Sequence, residues 1–289
     1  MGKEIITGIS YSGNKAQLAV CEVRLKETKL IYLNEFSVSA VADHWYLNKI
    51  TSPDIRLLKK VSKVSVALDI NSVVLHSFPL DTSLNQTEQN GHVHWELSNF
   101  IKGYQPKEYI YDLHTLRISA REQVADVLVV AIQRSKLFGI QSVLESKKIE
   151  LHIADTSFFG AEQSLYAAFP EVKSKTVLLV LVDMNELSLG IIANGRVVKF
   201  ALGHQTSPDN IIELFQSIKQ DEIVSEIYLC GSNALQDMGI VLRNKLGVHV
   251  NMLNPFRRNI TTSSCKEFKQ FAGKEHCFAA SVGVALRKR

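Results

Sequence analysis

The stretch Thr176–Gly203, TVLLVLVDMNELSLGIIANGRVVKFALG, carries the reading of the fold. From Val177 to Val182 apolar, mostly branched residues follow one another without a break. Such a run describes a strand buried on both faces, because a strand buried on one face alternates. The run stops at a single carboxylate, Asp183. A second apolar strand, Leu187–Ile192, leads to Asn194-Gly195 and a third, Val197–Leu202. Asn-Gly readily supplies the two positive φ angles of a tight hairpin turn. A buried strand, a short polar turn after an aspartate and a hairpin return describe a phosphate-cradling strand pair. They describe an ordinary β-meander equally well, so the rest of the chain has to decide.

The N-terminus repeats the order. Lys3–Ser10 reads as a strand, Tyr11-Ser12-Gly13-Asn14 as a turn, and Gln17–Leu25 and Leu30–Val38 as further strands. One meander in each half of the chain predicts an internal duplication. Ser52-Pro53-Asp54 and Ser207-Pro208-Asp209 both read as helix starts: a capping hydroxyl, proline in the first turn and an early carboxylate. Residues 73–153 read β-α-β-β-α-β in miniature, a small inserted α+β subdomain. The expected organisation is a first lobe of residues 1–72 and 154–175, the insertion at 73–153 and a second lobe at 176–289. Phe278–Leu286 reads as a closing helix rich in small residues. The fold class is α/β.

The totals exclude several functions. At 289 residues, 46% hydrophobic and 21% charged, the chain has the balance of a globular protein with a substantial core. No window approaches the ~18 apolar residues of a membrane span. The start, MGKEIITGIS, lacks the apolar core and cleavage site of a signal peptide, and a cytoplasmic protein is expected. The net charge of +4 is mild. Arg257-Arg258 and the tail Arg287-Lys288-Arg289 do not make a nucleic-acid groove, so no nucleic-acid partner is expected. Cys21 and Cys230 sit in apolar runs as small hydrophobes. Cys265 and Cys277 flank His276, but the spacing matches no structural zinc pattern, and no metal site is expected. His92 and His94 lie on a predicted helix, where that spacing points them apart. No Gly-x-Ser-x-Gly elbow and no Walker loop is present. Tyr104, Pro106, Tyr109 and Tyr111 read as packing within the insertion.

Taken together, the segments resemble the actin-like ATPase superfamily, a duplicated ribonuclease H-like fold, and within it the PilM-like proteins of type IV pilus and type II secretion platforms. Gly8-Ile9 and the turn after it stand where that family has its first phosphate loop. Val127–Leu165 resembles the family's strand–helix passage between lobes. Tyr228-Leu229-Cys230-Gly231-Ser232-Asn233-Ala234-Leu235 resembles its adenosine segment, and Phe278–Arg287 its last helix. The resemblance places a nucleotide at Gly8, Ser10, Ser12, Gly13, Lys15, Asp183, Asn185, Gly203, Gly231 and Ser232. It implies a PilN-like bitopic inner-membrane protein as partner. The N-terminal peptide of that partner would enter a groove near Val74, His76, Phe78, Val129 and Ala131. It also implies a location peripheral to the inner membrane and leaves self-association open.

The departures from the family pattern bear on function. Gly8-Ile9-Ser10 stands where the family has Gly-Ile-Asp, and Ser12 where a glycine would follow. Met184-Asn185-Glu186 replaces a longer glycine-containing loop after Asp183. Phosphate cradling depends on close backbone N–H groups, which glycine permits and bulky residues obstruct. Magnesium is held by carboxylates and waters, and one of the usual two carboxylates is missing. The expectation is a degenerate site: no cofactor, or magnesium ATP bound weakly, and no catalytic residue. Asp155 reads either as a water-positioning residue by resemblance or as a helix N-cap competing with Ser157. Three functions follow: a pilus-platform scaffold, a working ATPase or small-molecule kinase of the same fold, and a stand-alone or filament-forming actin-like protein.

Overall fold

The computed structural model describes residues 4–24, 27–37, 61–119, 121, 123–184 and 186–288. The helix predicted to start at Ser52-Pro53-Asp54 lies outside these residues. The chain opens with β1 (Glu4–Ser12), β2 (Lys15–Val23), β3 (Thr28–Ser37) and β4 (Lys63–Leu68). The first three form an antiparallel meander, and β4 lies parallel to β1 on its other side. The chain then makes β5 (Val74–Asp81), α1 (Gln86–Phe100), β6 (Tyr109–Ser119), β7 (Val124–Gln133) and α2 (Arg134–Glu145). It returns as β8 (Glu150–Thr156), parallel to β4, and continues into α3 (Ser157–Ala168).

The second half repeats the plan. An antiparallel meander of β9 (Val177–Asp183), β10 (Glu186–Ala193) and β11 (Arg196–Gly203) precedes α4 (Pro208–Lys219). Then β12 (Glu226–Cys230) lies parallel to β9, and after α5 (Gln236–Leu246) β13 (His249–Met252) lies parallel to β12. A short β14 (Ile260–Thr261) and α6 (Ala279–Leu286) complete the described strands and α-helices. The main sheets run β14-β3-β2-β1-β4-β8 and β11-β10-β9-β12-β13. Apart from β14 the strand orders are the same, so the duplication lies in the topology as well as in the two meanders.

Local sequence explains the elements. β9 is buried at every position. Val177, Leu179 and Leu181 face the core that holds α3, while Leu178, Val180 and Val182 face the core under α4 and α5. Covering both faces removes the reason for alternation. Asn194 and Gly195 adopt φ of 53° and 71°, the pair that the β10–β11 turn requires. Ser207 caps α4 by accepting from the Asn210 N–H. Asn85 and Glu88 close a reciprocal capping box at α1.

Three boundaries differ from the sequence reading. β8 joins the first main sheet, and α2 packs Ile140 and Leu144 under that sheet. The inserted sheet is therefore only β5-β7-β6, with α1 packed on it through Val93 and Leu97. The C-terminal segment, counted with the second lobe, returns to the first: β14 pairs with β3, and α6 packs against β1 through Val282 and Ala285. In exchange α3 packs Phe158, Ala161 and Leu165 under the second sheet. α3 and α6 cross so closely that a Cβ on Gly283 would fall on the Gly160 carbonyl oxygen, and Ser164 Oγ donates to the Ala279 carbonyl at 2.6 Å. This crossing forms the base joining the lobes.

Candidate functional site

Opposite that base lies a cleft of about 450 Å³ between the lobes. Two hairpin tips form its rim. In the first, Ser12 pairs with Lys15 around a turn at Gly13-Asn14; in the second, Asp183 pairs with Glu186 around Met184 and residue 185. Asn185 itself lies outside the described residues. Tyr11, Asp69 and Asn71 complete the lining. The three carboxylates Asp69, Asp183 and Glu186 face the cleft, and among the described lining residues no side chain is cationic.

The tips are fastened to each other. The Met184 N–H donates to Ser12 Oγ at 3.2 Å, and Ser12 Oγ lies 2.8 Å from Ser232 Oγ. Ser232 Oγ and the Ser232 N–H both donate to Asp183 Oδ1, at 2.9 and 2.7 Å. With the Ser232 proton committed to the carboxylate, Ser12 is the donor between the two hydroxyls. Gly13, at φ 58°, lies directly under the Met184 side chain, where a Cβ would overlap the thioether. Glu186 accepts from Ser188 Oγ at 2.9 Å and from the Ile70 N–H of the first lobe at 3.3 Å.

The electrostatics follow from burial. Burial raises the Asp183 carboxyl above the ordinary aspartate range, against the opposing pull of its hydrogen bonds from the Ser232 N–H and hydroxyl. Burial, with the charge of Asp183 as second cause, pushes Glu186 up to about 8. Asp69 is held in its own turn by the Ser72 N–H and Oγ, at 2.9 and 3.1 Å.

Of the residues expected at a nucleotide, the structure brings Ser12, Gly13, Asp183 and Ser232 together at the cleft. Gly231 immediately precedes Ser232, and its N–H donates to the His276 carbonyl at 3.2 Å. Four others stand elsewhere. Gly8 lies within β1, where a Cβ would overlap the Ser281 carbonyl oxygen of α6; its missing side chain serves helix packing. Ser10 donates inside the sheet to Gln17 Oε1 at 3.2 Å. Lys15 points away from the cleft, 3.0 Å from Glu35. Gly203 borders a separate depression between the end of β11 and α4, beside His204, Asn210 and Glu213. Sequence reasoning missed Asp69, although VALDINS ends an apolar strand on a carboxylate just as Val177–Asp183 does.

Of the residues expected in a peptide groove, Val129 and Ala131 are fully buried beneath α1, and Phe78 is buried with them. Val74 is half-buried at the border of that core, and His76 stacks on Phe100 with centroids 4.4 Å apart. Asp155 pairs with Arg287, and Thr156, not Ser157, caps α3. His94 meets Tyr104 Oη at 2.6 Å, while His92 lies beside Glu96 and Phe78. Among the described residues no cluster of His, Cys, Asp or Glu is placed to hold a metal ion, and no helix is long and apolar enough to cross a membrane.

Two sheets of equal strand order, crossed helices at the base and a cleft between two hairpin tips define an actin-like ATPase fold. The chain belongs to the family of the type IV pilus assembly protein PilM, whose family model matches residues 46–206, more than half of the chain. A solved PilM–PilN type IV pilus biogenesis complex contains a similar chain at 18% identity and TM-score 0.76, with 98% of each chain covered. A Bacteroides thetaiotaomicron protein with an actin-like ATPase fold is similar at 14% identity and TM-score 0.55, over 87% of this chain and 91% of that one. The cytoplasmic domain of EpsL, an inner-membrane component of the Vibrio cholerae type II secretion system, is similar at 10% identity and TM-score 0.53, over 99% and 96%. No curated protein sequence matches significantly.

Proposed function

We propose that the protein is a non-hydrolysing scaffold of a type IV pilus platform. It takes the N-terminal cytoplasmic peptide of a PilN-like membrane protein, which holds it at the inner membrane. The observation that carries the non-hydrolysing part is the cleft lining. A magnesium nucleotide brings several negative charges; here its phosphates would meet the acidic side chains of Asp69, Asp183 and Glu186 with no lysine or arginine among the described lining residues, and Met184 seated on Gly13 between the tips. Glu186 keeps its proton near neutral pH and offers no compensating positive charge, and any ionised carboxylate a few ångströms from a phosphate costs on the order of 1 kcal/mol or more even in high dielectric. These residues fit the group poorly.

The partner rests on family membership and on the similarity to the PilM–PilN complex. With Val129 and Ala131 covered by α1, the receptor we favour is the outer edge of β5, which lies at the end of the β5-β7-β6 sheet. An extended peptide adds to such an edge through main-chain hydrogen bonds. The exposed rings of Trp95 and Phe100 stand beside it on α1. One calorimetric series tests both parts: titrate magnesium ATP, then a synthetic N-terminal peptide of a PilN-like protein from the same genome. The expected result is no heat from ATP and micromolar binding of the peptide, weakened by Phe100→Ala. Micromolar ATP binding that disappears in Asp183→Ala would remove the degenerate-site part of the reading, and absence of peptide binding would remove the partner part.

A further inference from the structure

The same cleft carries a conformational device, resting on the reading that it is not a nucleotide site. We propose that the second hairpin tip is an intramolecular latch that holds the two lobes closed with no small molecule between them. The bonds that carry this all cross from one lobe to the other. Met184 N–H reaches Ser12 Oγ, Ser12 reaches Ser232, and the Ile70 N–H reaches Glu186.

The latch follows from where the paired strands end. Each tip is a two-residue turn between directly paired strand ends, Ser12 with Lys15 and Asp183 with Glu186. Gly13 lets Met184 lie flat against the first turn, since any Cβ there would displace the thioether. Ser232 then places both of its donors on Asp183 and leaves its oxygen as the acceptor that Ser12 needs. The base crossing of α3 and α6 fixes one end of the interlobe contact, and the latch fixes the other. The Met184–Ser12, Ser12–Ser232 and Ile70–Glu186 bonds together tie the lobes across the cleft.

Spin labels read the closure directly. Ser142→Cys on α2 and Gln216→Cys on α4 are both exposed, one on each lobe, and Cys277→Ser removes the partly accessible native thiol. Pulsed dipolar spectroscopy should give one narrow interlobe distance, unchanged by magnesium ATP. Adding Ser12→Ala with Met184→Gly should lengthen and broaden it; should that pair misfold by circular dichroism, Ser232→Ala alone should broaden it. A broad distribution in the unaltered chain, or an unchanged one in a folded latch variant, overturns the proposal. A narrow distance that shifts only when ATP is added leaves the latch standing and overturns the nucleotide-free reading instead.

Discussion

The two hairpins that meet at the cleft share a turn length and differ in every residue that flanks the turn. Ser12 and Lys15 occupy the paired positions in the first lobe; Asp183 and Glu186 occupy them in the second. Lys15 reaches out to Glu35, and about half of its side chain is exposed. Asp183 and Glu186 are buried, with no cation among the described residues lining the cleft beside them. The strands behind the tips differ as well. Four residues before its tip, β1 has Gly8 pressed on α6, whereas β9 has Leu179 filling the core beneath α3. Backbone pairing therefore preserved the architecture in both halves while each tip took its chemistry from its surroundings.

The largest break in this comparison comes from giving β1 a side chain like that of β9. Gly8→Val drives two methyl groups into the α6 backbone, which has no flexible end to move aside. A loss of about 3 kcal/mol or more is expected, read as a lower denaturation midpoint. If the midpoint stayed unchanged, the tight β1–α6 contact would be wrong.

Glu186→Gln should act in the other direction. Glu186 keeps its proton to about pH 8 in the folded chain and would release it near 4.5 when unfolded. Between these values the folded chain holds more protons than the unfolded one, so its stability falls as pH rises. The glutamine removes that fall. Its advantage should be absent below pH 4.5, grow through neutrality and level off above pH 8. The plateau should amount to several kcal/mol, because each pKa unit between the unfolded and folded values is worth ~1.4 kcal/mol. Thermal unfolding across pH checks it; parallel curves for the two proteins would refute it.

How much of this could be read from the chain depends on what each signal reports. The run Val177–Val182 specified a strand covered on both faces, and Asn194-Gly195 a turn, because both are local properties. The meander repeated in each half announced the duplication. The exchange of α3 and α6 between lobes left no local trace: small residues such as Ala279, Ser281 and Gly283 show that α6 packs closely, not against which sheet. For the same reason β8 was grouped with the insertion, since Leu151–Ala154 is as apolar beside β4 as it would be beside β7. At the cleft, Asp183 was legible as a carboxylate ending a buried strand. The contact of Met184 with Gly13 was not, because it joins turns from opposite halves of the chain.

A smaller effect is expected at Ser12. Ser12→Ala leaves the Met184 N–H without its acceptor and Ser232 without its donor. A partly buried hydrogen bond of this kind contributes about 1 kcal/mol. Hydrogen exchange should localise the loss: the Met184 amide should exchange faster in the variant, while strand amides far from the tip keep their protection. Uniformly faster exchange would mean that Ser12 supports the fold as a whole and not the contact between tips.

The smallest effect should come from Lys15, although it holds the position equivalent to Glu186. Its ion pair with Glu35 is solvent-exposed, and such pairs contribute at most about 1 kcal/mol. Glu35 also accepts from Gln17 Nε2 at 3.2 Å, so it keeps a partner when the lysine is gone. Lys15→Gln should therefore move the melting temperature by no more than about 1–2 °C. The shift should shrink further in high salt, which screens exposed charges over a few ångströms. Equivalent positions in the two hairpins would then differ in sign, size and pH dependence, with burial as the cause. Were Lys15→Gln to cost several degrees at every salt concentration, the lysine would have to turn inward to the carboxylates of the cleft, and the contrast between the two tips would fail.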